Sequence, residues 1–507
     1  MGVDATREPP IVPDLDTQVA GDADNTLVDV FDPPDSDTSR WFDAAEPTDI
    51  ALGNEVVTYI SGAKLFKDMV AAIRTTKDTS HFIYLAGWNC NIDFALDPTE
   101  GPDTTLRALF SGANGRGVAI RAMLLKHSAA LGQDNAPAVS FIEDTLLFGS
   151  AIHDERVMDL SALLAFLGDQ TGLGHKVGAH HQKMLLVNGS EGLIAFQGGM
   201  DIFDNRLSIA GGEPLHDVHT RIMGPAAAKL CRIFVERWHD HPESDGKNAV
   251  PKEVAEPGFR PEAMLVQVPR TYPDGHQNSG IEPSGYAFAR FGEQTLKGAV
   301  LHGIKTAREF IYLEDQYLVD MAISDALKDA LPNLKKLIIL ICATDLINNE
   351  LFQGWRRRKE FVDNLAPHGK KVSVCQLKTQ FVHSKTWIFD DRLAIIGSAN
   401  VNRRGFTHDS EQGAVIFDGN AKKQWFLAHE LRMNLWAGHL RKRPIDMHDP
   451  IAASVHWFPP AANSRVARYD PNEQRDTPDP ELGSLVLTDL AWDSLIDPDG
   501  SPGPSEI

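Results

Sequence analysis

The sequence predicts an α/β fold made of two α/β repeats, packed with pseudo-two-fold symmetry around one shared site. Three observations predict it. The chain has 507 residues, 42% of them hydrophobic and 23% charged, the proportions of a globular protein large enough for more than one domain. One ordered set of short segments occurs twice along it, the mark of an internal repeat. In both copies a stretch of helical apolar spacing, Ala63 to Ile73 and Gln294 to Thr306, leads into a short strand-like run, and such alternation builds α/β layers.

From the N-terminus, residues 1–45 are rich in Asp, Pro and Thr, and residues 1–50 carry 13 acids against 2 bases. That composition predicts a disordered acidic tail. The first repeat is expected over 46–255. It runs Phe82-Ile83-Tyr84-Leu85, then Val118 to Leu125, then His181-Gln182-Lys183 with an apolar run to Val187, then Leu193 to Phe196 and Gly198-Gly199-Met200-Asp201. The second repeat, over 256–460, runs Phe310-Ile311-Tyr312-Leu313, Leu337 to Cys342, His383-Ser384-Lys385 with Thr386 to Phe389, then Leu393 to Ile396 and Gly397-Ser398-Ala399-Asn400. Tyr84 to His181 is 97 residues and Tyr312 to His383 is 71; the polar, Gly-rich stretch from Gly132 to Gly174 holds the excess. Residues 470–507 carry 10 acids against 1 base, so 461–507 is expected to be a second acidic, mostly disordered tail. Within it the spaced apolar residues of Leu485 to Leu495 are suited to docking on the body.

Of the formal charge of −21, residues 51–469 carry only −1. A sequence-blind nucleic-acid binder needs a basic excess to neutralise phosphates, so nucleic acid is not an expected partner. No run approaches the roughly 18 apolar residues of a membrane-spanning helix. Cys90, Cys231, Cys342 and Cys375 lack paired spacing and read as buried hydrophobes rather than a disulfide framework or zinc site. The N-terminus shows no basic-then-apolar leader. The expected location is the cytoplasm, peripheral to a membrane, with leaderless export left open.

The chemistry is concentrated in His181/Lys183 and His383/Lys385. Residues i and i+2 of a strand share a face, so each imidazole has an ammonium beside it. A neutral imidazole is a base or nucleophile near pH 7, and lysine is a charged donor to an anionic oxygen. Two such pairs around one phosphate suit double displacement at phosphorus: one histidine attacks, and the other protonates the leaving oxygen and then activates the incoming one. Lys183 and Lys385 would offset charge on the non-bridging oxygens.

These motifs resemble the signature of the phospholipase D superfamily, HxKx4D followed by a Gly-rich turn. The second copy carries all of it in His383, Lys385, Asp390, Gly397, Ser398 and Asn400. The first has Asn188 in place of the Asp, and three extra residues before Gly198-Gly199. Asn188-Gly189 is itself a hairpin-turn signal, so the departure reads as an altered turn. Ile311 to Tyr317 (IYLEDQY) is similar to the IYxENQYF segment of eukaryotic-type phospholipases D. The resemblance extends to Pro214-Leu215-His216-Asp217-Val218-His219, Gly224-Pro225-Ala226-Ala227, Glu236-Arg237-Trp238, Leu431 to Ala437 and Ala86-Gly87-Trp88. No calcium-binding C2-like or lipid-binding PX- or PH-like module is expected before this core, since the tail is too short for one.

The resemblance implies a phosphodiesterase that acts on the distal phosphodiester of glycerophospholipids through a phosphohistidine, by hydrolysis or by transfer to an alcohol. His181 would be the nucleophile and His383 the general acid and base. Lys183, Lys385 and Asn400 would hold phosphate oxygens, with Asn188, Asp390, Asp201 and Ser398 in support. A working histidine needs a carboxylate on its other nitrogen, and Asp217 and Glu411 stand in the corresponding places. No metal or other cofactor is implied; the partners are a phospholipid and a membrane surface, and the chain is expected to be a monomer. The alternatives are a cardiolipin-synthase-type phosphatidyltransferase, a nuclease, or a lipid-binding homologue impaired at Asn188. Arg356-Arg357-Arg358-Lys359 is expected to be a solvated helix face, Trp88, Trp355 and Trp387 core or rim residues, and His175, His180 and His216 to lack metal-ligand partners.

Overall fold

Alternating apolar side chains give each strand two covered faces, and these strands make two sheets in the computed structural model of the chain, which describes residues 40–42, 50–126, 134–154, 179–207, 214–261, 264–274, 286–343, 354–418, 426–471 and Asp497. The first half contains β1 (Ile50–Tyr59), β2 (Phe82–Gly87), β3 (Ala119–Leu125), β4 (Gly149–Asp154), β5 (Met184–Gly189), β6 (Gly192–Gly198) and β7 (His219–Met223). The second contains β8 (Met264–Gln267), β9 (Arg270–Asp274), β10 (Phe291–Glu293), β11 (Phe310–Asp315), β12 (Lys336–Ile341), β13 (Val372–Leu377), β14 (Thr386–Phe389), β15 (Leu393–Gly397), β16 (Glu411–Phe417) and β17 (Val466–Arg468).

The first sheet pairs in the order β1-β7-β6-β5-β2-β3-β4, parallel only across β2-β3-β4. The second pairs as β8-β16-β15-β14-β11-β12-β13-β17, parallel only across β11-β12-β13. Each HxK segment therefore leads into the hairpin strand beside the Phe-Ile-Tyr-Leu strand in both halves. β1 joins the sheets: its C-terminal half pairs with β7 and its N-terminal half with β8.

Alternation along the strands sorts the core into three layers. Tyr84 and Ala86, with Phe310 and Tyr312, face a central core shared by both sheets and by the helices Pro225–Asp240 and Leu427–Leu440. Ile83 and Leu85 face an outer layer under Gly62–Arg74 and Leu106–Asn114. Ile311 and Leu313 face the other outer layer, under Thr295–Thr306, Met321–Ala330 and Gly354–Leu365. All four cysteines are buried, and none is in a disulfide among the described residues. No helix among the described residues is long and apolar enough to cross a membrane.

Several expectations need correction. Trp41 and Phe42 fall inside the segment expected to be a tail, yet both are buried in the outer layer of the second half, Phe42 edge-on to Phe417. Apolar bulk, not local composition, ties down that end. At the other end β17 extends the second sheet beyond residue 460. Asp497 is buried, its carboxylate accepting from the backbone N–H groups of Arg403 and Arg404. Residues 1–39 and 155–178, including His175, and Leu485 to Leu495 lie outside the described residues.

Asn188-Gly189 does not form the turn. Both residues lie in the β5–β6 ladder, and the turn is Ser190-Glu191. The extra residues lengthen this hairpin relative to β14–β15. Glycine at 189 answers a close approach instead, because a Cβ there would lie 2.0 Å from Thr75 Oγ1. Arg358 is not solvated: it is fully buried and donates to the carbonyls of Tyr317, Cys342 and Gln316, acceptors that burial would otherwise leave unmet.

Candidate active site

Four segments meet where the halves join. Ala179–Lys183 from the first half lies beside Asp409–Glu411 from the second: His180 and Ser410 form a parallel bridge, Ser410 N donates to Ala179 O, and His181 N donates to Ser410 O. Reciprocally, Leu215–Asp217 from the first half lies beside Phe381–Lys385 from the second. His216 bridges Val382, His216 N donates to Phe381 O and His383 N to His216 O, both at 2.8 Å.

This lacing crosses the carboxylates between halves. His181 Nδ1 lies 2.9 and 3.1 Å from the two oxygens of Glu411. His383 Nδ1 lies 2.7 Å from Asp217 Oδ2. Each imidazole thus keeps Nε2 as its remaining nitrogen. Glycine at 199 is required here, since a Cβ would sit 2.1 Å from Asp217 Oδ1.

The lysines are buried beside the imidazoles. Lys183 Nζ donates to His181 O at 3.0 Å and stands 3.6 Å from Asp201 Oδ2. Lys385 Nζ donates to His383 O and to Gln316 Oε1. Asp201 accepts from the Trp88 and Asn89 N–H groups at 3.1 and 2.9 Å. Ser398 Oγ donates to Glu411, which fixes that carboxylate. Asn400 is buried, its Oδ1 without a partner among the described residues. Asp390 stands away from this group and accepts from Arg308, Glu309 and Phe310 N–H, which clamps the β14–β15 turn to the start of β11. Asn188, paired with Phe82 and Leu193, offers no equivalent clamp.

Burial dominates the electrostatics. It holds His181 well below the usual imidazole value, with Lys183 and Lys385 adding to the effect. His383 is lowered by burial and then by Lys385, Arg206 and Lys183. Burial pushes Glu411 up to about 8, Asp409 adding to it, and Asp217 up to about 6 against the pull of Lys385 and Arg206. Lys385 comes down to about 8, chiefly by burial. The two lysines, the two imidazoles and their carboxylates make a site able to hold an anion and move a proton at two nitrogens.

Sequence reasoning missed several neighbours. Trp88 meets His181 edge-on at 5.2 Å, and Arg206 comes within 3.4 Å of His383 Nδ1. Behind His181, the buried carboxylate of Asp154 lies 3.0 Å from His180 Nε2 and 3.0 Å from Arg237 Nη2, with His241 at 3.4 Å. Behind His383, buried Glu314 accepts from His216 Nε2 at 2.7 Å, His439 Nε2 at 2.9 Å and Tyr312 OH at 2.7 Å. His216 therefore has partners of metal-ligand type, and this is the one such group among the described residues. Donors around a tetrahedral ion with bonds near 2.05 Å stand about 3.3 Å apart; the shorter separations are hydrogen bonds that orient His216, whose backbone carries His383. The signal was in the sequence: an ionisable pair, Glu314-Asp315, closing an otherwise apolar strand.

The phospholipase D family model matches residues 205–353, and that of the cardiolipin synthase PLD-like domain matches 300–428. Phospholipase D alpha 1 of Cynara cardunculus is 25% identical over 75% of this chain and 64% of the relative. The Arabidopsis thaliana phospholipase D alpha 1 is 23% identical over 74% and 64%. Cardiolipin synthase 1 of Staphylococcus epidermidis is 26% identical over 50% of this chain and 46% of its own length. The chain thus spans about 64% of the length of the plant relatives. The solved phosphatidylserine synthase of Haemophilus influenzae shares the fold with a TM-score of 0.51 at 13% identity, over 82% of this chain and 94% of that one. On the family models and the plant relatives together, the chain belongs to the phospholipase D superfamily.

Proposed function

We propose that this chain is a phospholipase D, cleaving the distal phosphodiester of a glycerophospholipid to give phosphatidate and the head-group alcohol, or passing the phosphatidyl group to another alcohol. The observation that carries the reading is the crossed pairing of His181 with Glu411 and of His383 with Asp217, each imidazole next to a buried lysine.

In this reaction His181 Nε2 attacks phosphorus, and the bond from phosphorus to the head-group oxygen breaks. His383 Nε2–H protonates that oxygen as it leaves. His383, now neutral, takes a proton from water or an alcohol, whose oxygen displaces His181 from phosphorus and regenerates it. Glu411 and Asp217 accept from Nδ1–H, hold the tautomer and offset the charge on each imidazolium. Lys183, Lys385 and Asn400 bind the non-bridging oxygens. The lipid-binding alternative draws on Asn188, whose ladder position leaves the contacts of His181 in place.

A panel of short-chain phospholipids with added primary alcohol, its products identified by mass spectrometry, tests the reading. Phosphatidate and phosphatidyl-alcohol are expected, and both should vanish in His181→Ala. Release of diacylglycerol or fatty acid instead, or no product from any head group, would defeat it.

A further inference from the structure

Arg206 belongs to none of the roles above, and its surroundings do not account for it. It is 4% exposed, on a short turn, Asp204–Arg206, that follows the Gly198-Gly199 hairpin. Its backbone is pressed against the first turn of the helix Gly62–Arg74, where a Cβ on Gly62 would meet Arg206 O at 2.4 Å. The side chain is thus placed by its backbone.

A guanidinium presents five N–H donors and accepts nothing. Nε and Nη1 of Arg206 are buried with no hydrogen-bond partner among the described residues. Nη2 lies 3.4 Å from His383 Nδ1, but that nitrogen already faces Asp217 Oδ2 at 2.7 Å, so its proton points there and it has no lone pair for Arg206. The one carboxylate within 4 Å of Nη2 among the described residues is Asp201: its Oδ1 accepts from Trp88 N and Asn89 N, and its Oδ2, 3.7 Å from Nη2 and too far for a hydrogen bond, also faces Lys183 Nζ at 3.6 Å. A buried guanidinium that shares one distant carboxylate with a lysine and leaves Nε and Nη1 unmatched is costly to the fold. It persists where a ligand completes it.

The field of Arg206 reaches the groups of the candidate site: it depresses the protonation of His383, Lys183, Lys385 and His219 and favours the ionised form of Asp217. Lys183, Lys385 and Arg206 therefore surround one region with positive charge. We propose that Arg206 is a third cationic substrate-binding residue, donating to a non-bridging phosphate oxygen on the His383 side of the site. The inference rests on the phosphodiester chemistry proposed above. It adds that the anion is held by a guanidinium from the first half beside the imidazole of the second. Substrate binding supplies the acceptor that the free protein lacks.

The test uses the full chain and two variants, Arg206→Met and Arg206→Lys, with inorganic phosphate as the probe. Phosphate binding is measured by titration calorimetry, melting temperature without ligand, and turnover of a short-chain phospholipid. Arg206→Met should weaken phosphate binding about 10- to 100-fold, the span of one charge-assisted hydrogen bond, and Arg206→Lys should recover part of it. Without phosphate, Arg206→Met should melt at the same temperature or higher, because a buried charge with unmatched donors has gone. A purely structural arginine would give the reverse: a lower melting temperature with phosphate affinity within twofold of the parent, and that result overturns the proposal. Absence of phosphate binding to the parent also overturns it. If binding depends on Arg206 but no phospholipid is turned over, the anion site stands and the phospholipase reading falls. If phospholipid is turned over and phosphate binding ignores Arg206, the converse holds.

Discussion

Replacing Asp217 by Asn changes one atom and should disable a histidine that belongs to the other half of the chain. Asp217 Oδ1 accepts from Val218 N at 2.8 Å, and Oδ2 faces His383 Nδ1 at 2.7 Å. An amide of the same shape keeps its oxygen on the Val218 N–H and turns its NH2 toward Nδ1. Nδ1 must then accept, which puts the ring proton of neutral His383 on Nε2. In that tautomer His383 has no lone pair to take a proton from the incoming water. A triad histidine forced into the wrong tautomer loses about 10⁴ in rate, equivalent to roughly 5 kcal/mol of barrier. The same reasoning applies to Glu411→Gln, where Ser398 Oγ claims the amide oxygen and the NH2 faces His181. Stability should move the other way. Burial raises Asp217 to about 6, so the folded state disfavours its charged form, and the stability linked to it is lost as pH climbs from the ordinary carboxylate value through 6. At pH 8 the amide escapes that penalty, roughly 3 kcal/mol at 1.4 kcal/mol per unit, and the variant should melt no lower than the parent. Head-group release from a short-chain phospholipid at pH 8 measures the rate. More than about a tenth of parental activity in either variant would refute the crossed pairing, as would a double variant far slower than the singles, since groups acting as one unit are not additive.

His181→Ala and His383→Ala should each abolish turnover. His383→Asn should still trap a phosphoryl-enzyme from a substrate with a good leaving group, and trapping by the His181 variant instead would exchange the two roles. With Glu411 and Lys385 both near 8, kcat/KM should climb with pH as Glu411 ionises and frees the His181 Nε2 lone pair, then fall as Lys385 loses its charge; a flat profile from pH 5 to 9 would count against it. Deleting residues 1–39 should leave the melting temperature unchanged, whereas deleting 1–45 removes Trp41 and Phe42 from a packed layer. Burial of such side chains contributes about 3–5 kcal/mol each, so equal melting of the two truncations would mean that their burial contributes nothing.

What the sequence made legible was whatever its chemistry or periodicity repeats. The order of strands was readable because each apolar run serves two covered faces, and the HxK pairs because few residue types suit phosphoryl transfer. Asp217 and Glu411 stood out as carboxylates at matching places, but their exchange between halves was invisible, since it depends on His180 meeting Ser410 and His216 meeting Val382 across about 230 and 166 residues. Local signals misled where tertiary contact overrode them. Asn188-Gly189 looks like a turn, yet the glycine is there for Thr75. The run Arg356 to Lys359 looks like a solvated face, yet Arg358 serves three buried carbonyls. Trp41 and Phe42 are two apolar residues in an acidic stretch, and composition averages them away.

The crossed carboxylates also explain why the rigidity of the site must come from the core rather than from the segments that carry it. Each lacing contact between the halves is one bridge with two backbone hydrogen bonds, worth about 1 kcal/mol net apiece. That is too little to fix imidazoles that a shift of 1 Å would misalign at a cost of roughly 100-fold in rate. The central layer supplies the rest. Strands from both sheets pack there on Pro225–Asp240 and Leu427–Leu440, with Trp238, Trp436 and Trp457 all buried. Those helices also deliver Arg237 and His439 to Asp154 and Glu314 behind the two histidines. The layer that holds the halves together is therefore the layer that orients the residues beside His181 and His383. A cavity opened there, far from any reacting atom, should slow both steps of the reaction before it unfolds the chain.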